Sequence, residues 1–172
     1  VHAPLSESAV AEYVPQIINV QALNGIDFDD GFDIDEAGNG GIQAVIYSST
    51  IDNNLDEGLD FDEEGDGNIE ITIVDTSAKG NTDDGFKITE EHNGDLNAFF
   101  SSVKSEKNNG KGIVLESKDD GIVSALIENS KTEDNDKGKK SGIKIKGKGV
   151  ISLKNSDIKD GFKAKKADIV KI

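Results

Sequence analysis

Carboxylates recur at fixed intervals in the first half of this chain, and they are its most chemically suggestive feature. Asp33 and Asp35 stand in Gly31-Phe32-Asp33-Ile34-Asp35. Asp60 and Asp62 hold the same places in Gly58-Leu59-Asp60-Phe61-Asp62. Ahead of successive copies come Asp29-Asp30, Asp56-Glu57 and Asp83-Asp84. If Phe32 and Ile34 point inward on a strand, Asp33 and Asp35 point outward. Like charges stacked across strands repel one another. A hard cation held by carboxylate oxygens relieves that repulsion, and Ca²⁺ prefers such ligands. The candidate calcium ligands are therefore Asp29, Asp33, Asp35, Asp56, Asp60, Asp62 and Asp83. The competing reading is a solvated acidic face with diffuse counterions. Asp62-Glu63-Glu64-Gly65-Asp66-Gly67 is locally calcium-like but lacks the full EF-hand pattern.

Further along, the same positions change sign. One outward column reads Asp33, Asp60, Lys87, Val114, Lys144, Lys163, and its neighbour reads Asp35, Asp62, Thr89, Glu116, Lys146, Lys165. Residues 1–84 hold 20 acids and one Lys, a net of −19, within a chain whose net charge is −15. From Lys137 onward, 12 Lys face 3 acids, a net of +9, and the chain has no Arg. Such asymmetry reports interaction surfaces. The lysines expected to serve assembly are Lys144, Lys146, Lys163 and Lys165. The C-terminal strand Asp168, Ile169, Val170 and Ile172 would supply backbone pairing.

These columns rest on an internal repeat. The motif Gly–apolar–polar–apolar begins at Gly31, Gly58, Gly85, Gly112, Gly142 and Gly161. The first three intervals are 27 residues, and the next two are 30 and 19. A second apolar segment keeps the register: Ile42, Ile69, Leu96, Val123; then Ala44, Ile71, Ala98, Ala125; then Ile46, Ile73, Phe100, Ile127. Both alternate with period two, as strands with one buried face do. A polar arc follows, with room for a weak third strand. Its Gly, Asn and Asp suit turns of positive φ. A repeat of this length fits one coil of a solenoid, stacked at the strand spacing of ~4.8 Å.

Ile127-Glu128-Asn129-Ser130 and Leu153-Lys154-Asn155-Ser156-Asp157-Ile158-Lys159-Asp160-Gly161 resemble the repeats of pectate-lyase-like parallel β-helices. The resemblance covers residues 20–172 and concerns architecture. With the crossover rule, it implies an all-β, right-handed parallel β-helix of about five to six coils. It also raises a pectinolytic alternative, and Asn81-Thr82-Asp83-Asp84-Gly85 is similar to the Asn-Thr-Asp motif of polygalacturonases. Paired carboxylates can hydrolyse glycosides. Against this, the chain lacks a Gly-His-Gly motif, and no Arg is present to bind a uronate. His2 and His92 read as surface residues.

Residues 1–19 read as a separate cap or exchange arm ahead of the β-helix domain at 20–172. Leu5, Val10, Tyr13, Val14 and Ile17 fall roughly on one helical face, with Ser6 as N-cap and Pro15 as the stop. The chain has no Cys, which excludes disulfides and thiolate metal sites, and no apolar run long enough to span a membrane. A net acidic chain without Arg argues against nucleic acid as a partner. The sequence therefore points to a non-enzymatic, secreted or cell-surface solenoid. Charge-polar ends suited to head-to-tail pairing with itself, with calcium as a stabiliser, are the expectation. A carbohydrate-binding or polysaccharide-active protein is the alternative.

Overall fold

The computed structural model describes residues 16–18, 21–23, 29–139 and 141–172. Of the helical face expected on Leu5, Val10, Tyr13, Val14 and Ile17, all but Ile17 lie outside them, as does His2, and Ile17 lies in a strand rather than a helix. Three strands per coil wind into a parallel β-solenoid of about five turns.

The first strand of each coil carries the repeat motif: β3 (Phe32–Glu36), β6 (Leu59–Glu63), β9 (Phe86–Glu90) and β12 (Ile113–Ser117). The second apolar segment forms β4 (Ile42–Tyr47), β7 (Ile69–Val74), β10 (Leu96–Ser101) and β13 (Ile122–Glu128). The polar arc contains a short third strand: β5 (Thr50–Asp52), β8 (Ser77–Lys79), β11 (Lys104–Glu106) and β14 (Lys131–Glu133). Ahead of them, β1 (Gln16–Ile18) pairs with β4 and β2 (Gln21–Leu23) with β5. Parallel pairing thus begins inside the segment read from sequence as a cap or arm.

Each coil stacks on equivalent residues. Phe32 lies beside Leu59, then Phe86, Ile113 and Ile143. Ile46, Ile73, Phe100 and Ile127 form another column. Ile46, Ile73, Phe86, Phe100, Ile113 and Ile127 are fully buried. These columns build one continuous core, the main stabilising term for a solenoid whose single coils cannot bury their own apolar side.

Between the second and third strands the chain turns on one left-handed residue per coil. Ser48, Asp75, Ser102, Asn129 and Asn155 have φ between 48° and 56°. Short polar side chains tolerate this region best, so the corner recurs without glycine.

The two irregular intervals have structural causes. The 30-residue coil contains an extra 3₁₀ turn at Asp136–Gly138. The 19-residue coil loses a loop, because β15 (Ile143–Lys154) runs unbroken from the first sheet face to the second. Gly147 and Gly149 make that passage at φ 133° and 136°. A Cβ on Gly149 would lie 1.9 Å from the Val123 carbonyl oxygen. β16 (Asp157–Ile158) and β17 (Phe162–Lys171) complete the stack.

A polar column missed in the sequence runs through the interior beside the third strand. Asn54, Asn81, Asn108 and Asn135 repeat at 27 residues and are buried. Each Asn Nδ2 donates 2.9 Å to the Oδ1 of the next Asn, and Asn135 donates 2.7 Å to Asp160 Oδ2. Backbone N–H groups of the same residues donate to those same oxygens. Full pairing is what permits polar groups in an interior.

Candidate functional site

Two ends with opposite chemistry follow from the stacking order. The expected outward columns are present in register: Asp33, Asp60, Lys87, Val114, Lys144, Lys163, and beside them Asp35, Asp62, Thr89, Glu116, Lys146, Lys165.

At the acidic end, the carboxylates converge in three overlapping groups: Asp29, Asp30 and Asp56; Asp30, Glu57 and Asp60; Asp56, Glu57 and Asp83. Within each group the ligand atoms lie within 4.8 Å of one another. Asp30 and Glu57 were absent from the expected ligand set. Their turn position ahead of the glycine was the available signal. Asp33, Asp35 and Asp62 join none of these groups. Lys87 reaches back one coil instead, with Nζ 2.5 Å from Asp60, 3.3 Å from Glu57 and 3.8 Å from Asp62. Asp60 points away from the core yet is only 8% exposed. Its Oδ1 has no hydrogen-bond partner.

Crowding shows in the protonation energetics. Burial, then the Asp62 charge, pushes the Asp60 carboxyl up to about 8, against the pull of Lys87. Burial and Glu57 push Asp30 up to about 7 and Asp56 to about 6. These carboxylates resist full ionisation because burial and the neighbouring carboxylates disfavour the charged form. Asp30 Oδ1 also accepts the Glu57 N–H at 2.8 Å, which ties the turns of two coils together.

Toward the other end, lysines sit over acids of the preceding coil. Lys118 pairs with Glu91, Lys148 with Asp120, Lys154 with Glu128 and Lys159 with Glu133. Lys144 and Lys146 both pair with Glu116. Burial would raise the Glu116 carboxyl, but these two ammonium groups hold it below its usual value. Lys163 and Lys165 break the pattern. Their neighbours in column are Lys144 and Lys146, and among the described residues neither lysine forms an ion pair. Both are exposed on β17.

β17 is also an open edge. Among the described residues it pairs only with β15, as β3 pairs only with β6. The core is uncovered there: Phe162, Ile158, Ala167 and Ile169 pack against it only partly buried. Asp168 is exposed, Val170 is 42% exposed and Ile172 is 67% exposed.

The remaining sequence candidates separate cleanly. Asn81 belongs to the buried asparagine column, where its donors and acceptor are occupied. Asp84 accepts the Lys111 N–H. His92 is surface-lying, its Nδ1 3.8 Å from Asp119. A groove of about 540 Å³ crosses the second sheet face, lined among others by Gln43, Glu70, Thr72, Asn97, Phe99 and Leu126. Among the described residues, no helix is long and apolar enough to cross a membrane.

Compared with known protein families, curated proteins and solved structures, the chain matches none.

Proposed function

We propose that this protein is a non-enzymatic, secreted or cell-surface rod that assembles head to tail with copies of itself. One observation carries the reading. Lys163 and Lys165, exposed on the edge strand β17 and without ion pairs among the described residues, stand at the opposite end of the rod from the acidic first coils. Continuing the stack sets β17 beside β1 of the next copy, with these lysines facing its acidic end. Exposed pairs are worth only ~0–1 kcal/mol each, so charge sets polarity and register. Backbone pairing of two open edges and burial of the Phe162–Ile169 end supply the rest. Such a heterologous contact does not close on itself, so it propagates as a filament.

Sedimentation velocity across a concentration series tests this. The parent chain is expected to form a concentration-dependent ladder of oligomers that weakens as salt rises. Lys163→Glu with Lys165→Glu should reduce association at least tenfold while leaving the circular dichroism spectrum unchanged. Deleting residues 168–172 should abolish association. A parent that stays monomeric at every concentration and salt would refute the reading.

Calcium enters as a stabiliser of the acidic end. The supporting observation is the Asp30–Glu57–Asp60 group, in which nine-tenths-buried Asp60 keeps one oxygen without a partner. Ligand bound only by the folded state raises the melting temperature. Millimolar calcium should therefore raise it relative to EDTA, and an unchanged midpoint would remove calcium from the account.

A glycan-binding reading has its own support in the groove over Asn97 and Phe99, where amide, carboxylate and aromatic groups line one surface. Depolymerisation and binding assays on polyuronates discriminate it from assembly.

A further inference from the structure

The inward register of the first strand does not end with its apolar residues. After Phe32 and Ile34 the next inward position is Glu36, and the same place holds Glu63 and Glu90 in the following coils. Glu36 is 6% exposed, while Glu63 and Glu90 are fully buried. One oxygen of each is accounted for: Oε1 accepts the N–H of Gly38, Gly65 and His92, respectively. The Glu90 Oε2 accepts from the Ser117 hydroxyl at 3.3 Å in the next coil. The Oε2 atoms of Glu36 and Glu63 are buried with no donor.

No cation is available to them among the described residues. Along the column, Glu63 faces Glu36 on one side and Glu90 on the other, and Ser117 follows. On the loop side the nearest groups are glycines: a Cβ on Gly40 would lie 3.2 Å from Glu36 Oε1, and one on Gly94 would lie 3.2 Å from the Glu90 carboxyl carbon. The His92 ring is directed to Asp119. Asp35 and Asp62 precede the glutamates in sequence but project from the opposite face, and they belong to none of the convergent carboxylate groups.

We infer that the Glu36–Glu63–Glu90 column is a proton-binding site, with one carboxyl kept as the neutral acid to bridge Glu36 and Glu63. Two stacked, buried carboxylates with no counter-ion cannot both ionise. A proton on one Oε2 turns an orphaned acceptor pair into a donor and an acceptor. Burial, and then the neighbouring glutamates, push the Glu63 carboxyl up to about 8 from an ordinary 4.5.

The consequence is a pH-sensitive lock on the first three coils. Between the unfolded value and about 8 the folded chain binds more protons than the unfolded chain. Stability therefore falls as pH rises through this window. The contribution is full below the unfolded value and gone above about 8. This inference stands apart from end-to-end assembly, since it concerns one chain alone.

Thermal unfolding of the full chain from pH 5 to 9, at concentrations where it is monomeric, tests the inference against Glu63→Gln. Glutamine keeps the shape and donor of the neutral acid. Other crowded carboxylates also titrate here, so the difference between variant and parent is the quantity to read. That difference should rise with pH and level off above 8, with Glu63→Gln melting several degrees higher than the parent at pH 9. Infrared spectra of the parent at pH 7 should show a protonated-carboxyl band that weakens in Glu63→Gln, a readout independent of stability. A flat difference curve, or the same band undiminished in the variant, would overturn the assignment. So would calcium abolishing the difference between Glu63→Gln and the parent at pH 9.

Discussion

Ile73→Asp should fail to fold. Ile73 is fully buried in β7, between Ile46 and Phe100 in adjacent coils. Aspartate there must either ionise without a partner in an apolar column or fold with a strongly raised pKa. Losing the isoleucine contacts alone costs about 2–5 kcal/mol by analogy with large-to-small core changes, and burying an unpaired polar group adds several more. A domain stable by about 5–15 kcal/mol cannot absorb that sum. The position also joins coils on both sides, so failure there separates the stack into parts too small to hold a core. Ile73→Val, which keeps the column apolar, should cost only about 0.5–1.5 kcal/mol. Circular dichroism and thermal melting check both variants. An Ile73→Asp chain that melts like the parent would mean that the register of the core is wrong.

Asn108→Ala should be nearly as damaging, although it removes no apolar surface. The Asn108 side chain accepts from the Asn81 backbone N–H at 3.0 Å and from Asn81 Nδ2 at 2.9 Å. It donates to the Ala78 carbonyl, to Ser105 Oγ and to Asn135 Oδ1. Alanine leaves Asn81 with two unpaired donors in a buried place. Each orphan costs about 1–3 kcal/mol, for a total of about 2–6 kcal/mol in chemical denaturation. Asn→Ala at exposed Asn97 should lie within about 0.5 kcal/mol of the parent. A loss at Asn108 no larger than at Asn97 would mean that the column is not cooperative.

What the sequence revealed depended on how each residue contributes. Apolar columns such as Ile42–Ile69–Leu96–Val123 were readable because hydrophobic alternation and a 27-residue repeat coincide. The third strand was faint, since Thr50–Asp52 and Lys104–Glu106 each offer one inward residue. Asn54, Asn81, Asn108 and Asn135 keep the same repeat and could have been found by extending the alignment into the polar arc. They were read as turn residues, because asparagine suits turns as well as ladders. Glu36 and Glu63 fall in the inward register by simple alternation, but a carboxylate defies the expectation that inward means apolar. At the acidic end the outward direction of Asp60 was legible. Its burial beneath Lys87 was not, because a lysine reaching back one coil is a matter of side-chain conformation. Lys144 and Lys146 share both column and charge with Lys163 and Lys165 in the sequence. Only coordinates separate the pair committed to Glu116 from the pair left without acids.

Because the chain has no cysteine, a designed disulfide can report the joint between copies directly. Val170→Cys with Gln16→Cys places one thiol on each terminal strand, β17 and β1, in the same column but at opposite ends of the rod. Neighbouring strands are ~4.8 Å apart, a Cα separation that a disulfide spans without strain. Within one chain the two positions are separated by the whole stack, so the bond can form only between molecules. Mild oxidation followed by non-reducing electrophoresis should give a ladder of covalent multimers. The ladder should be lost when Lys165→Glu is added, and a control pairing Lys163→Cys with Glu70→Cys, a column on the other sheet face, should give none. A Val170→Cys, Gln16→Cys chain that cross-links no better than this control would contradict head-to-tail assembly.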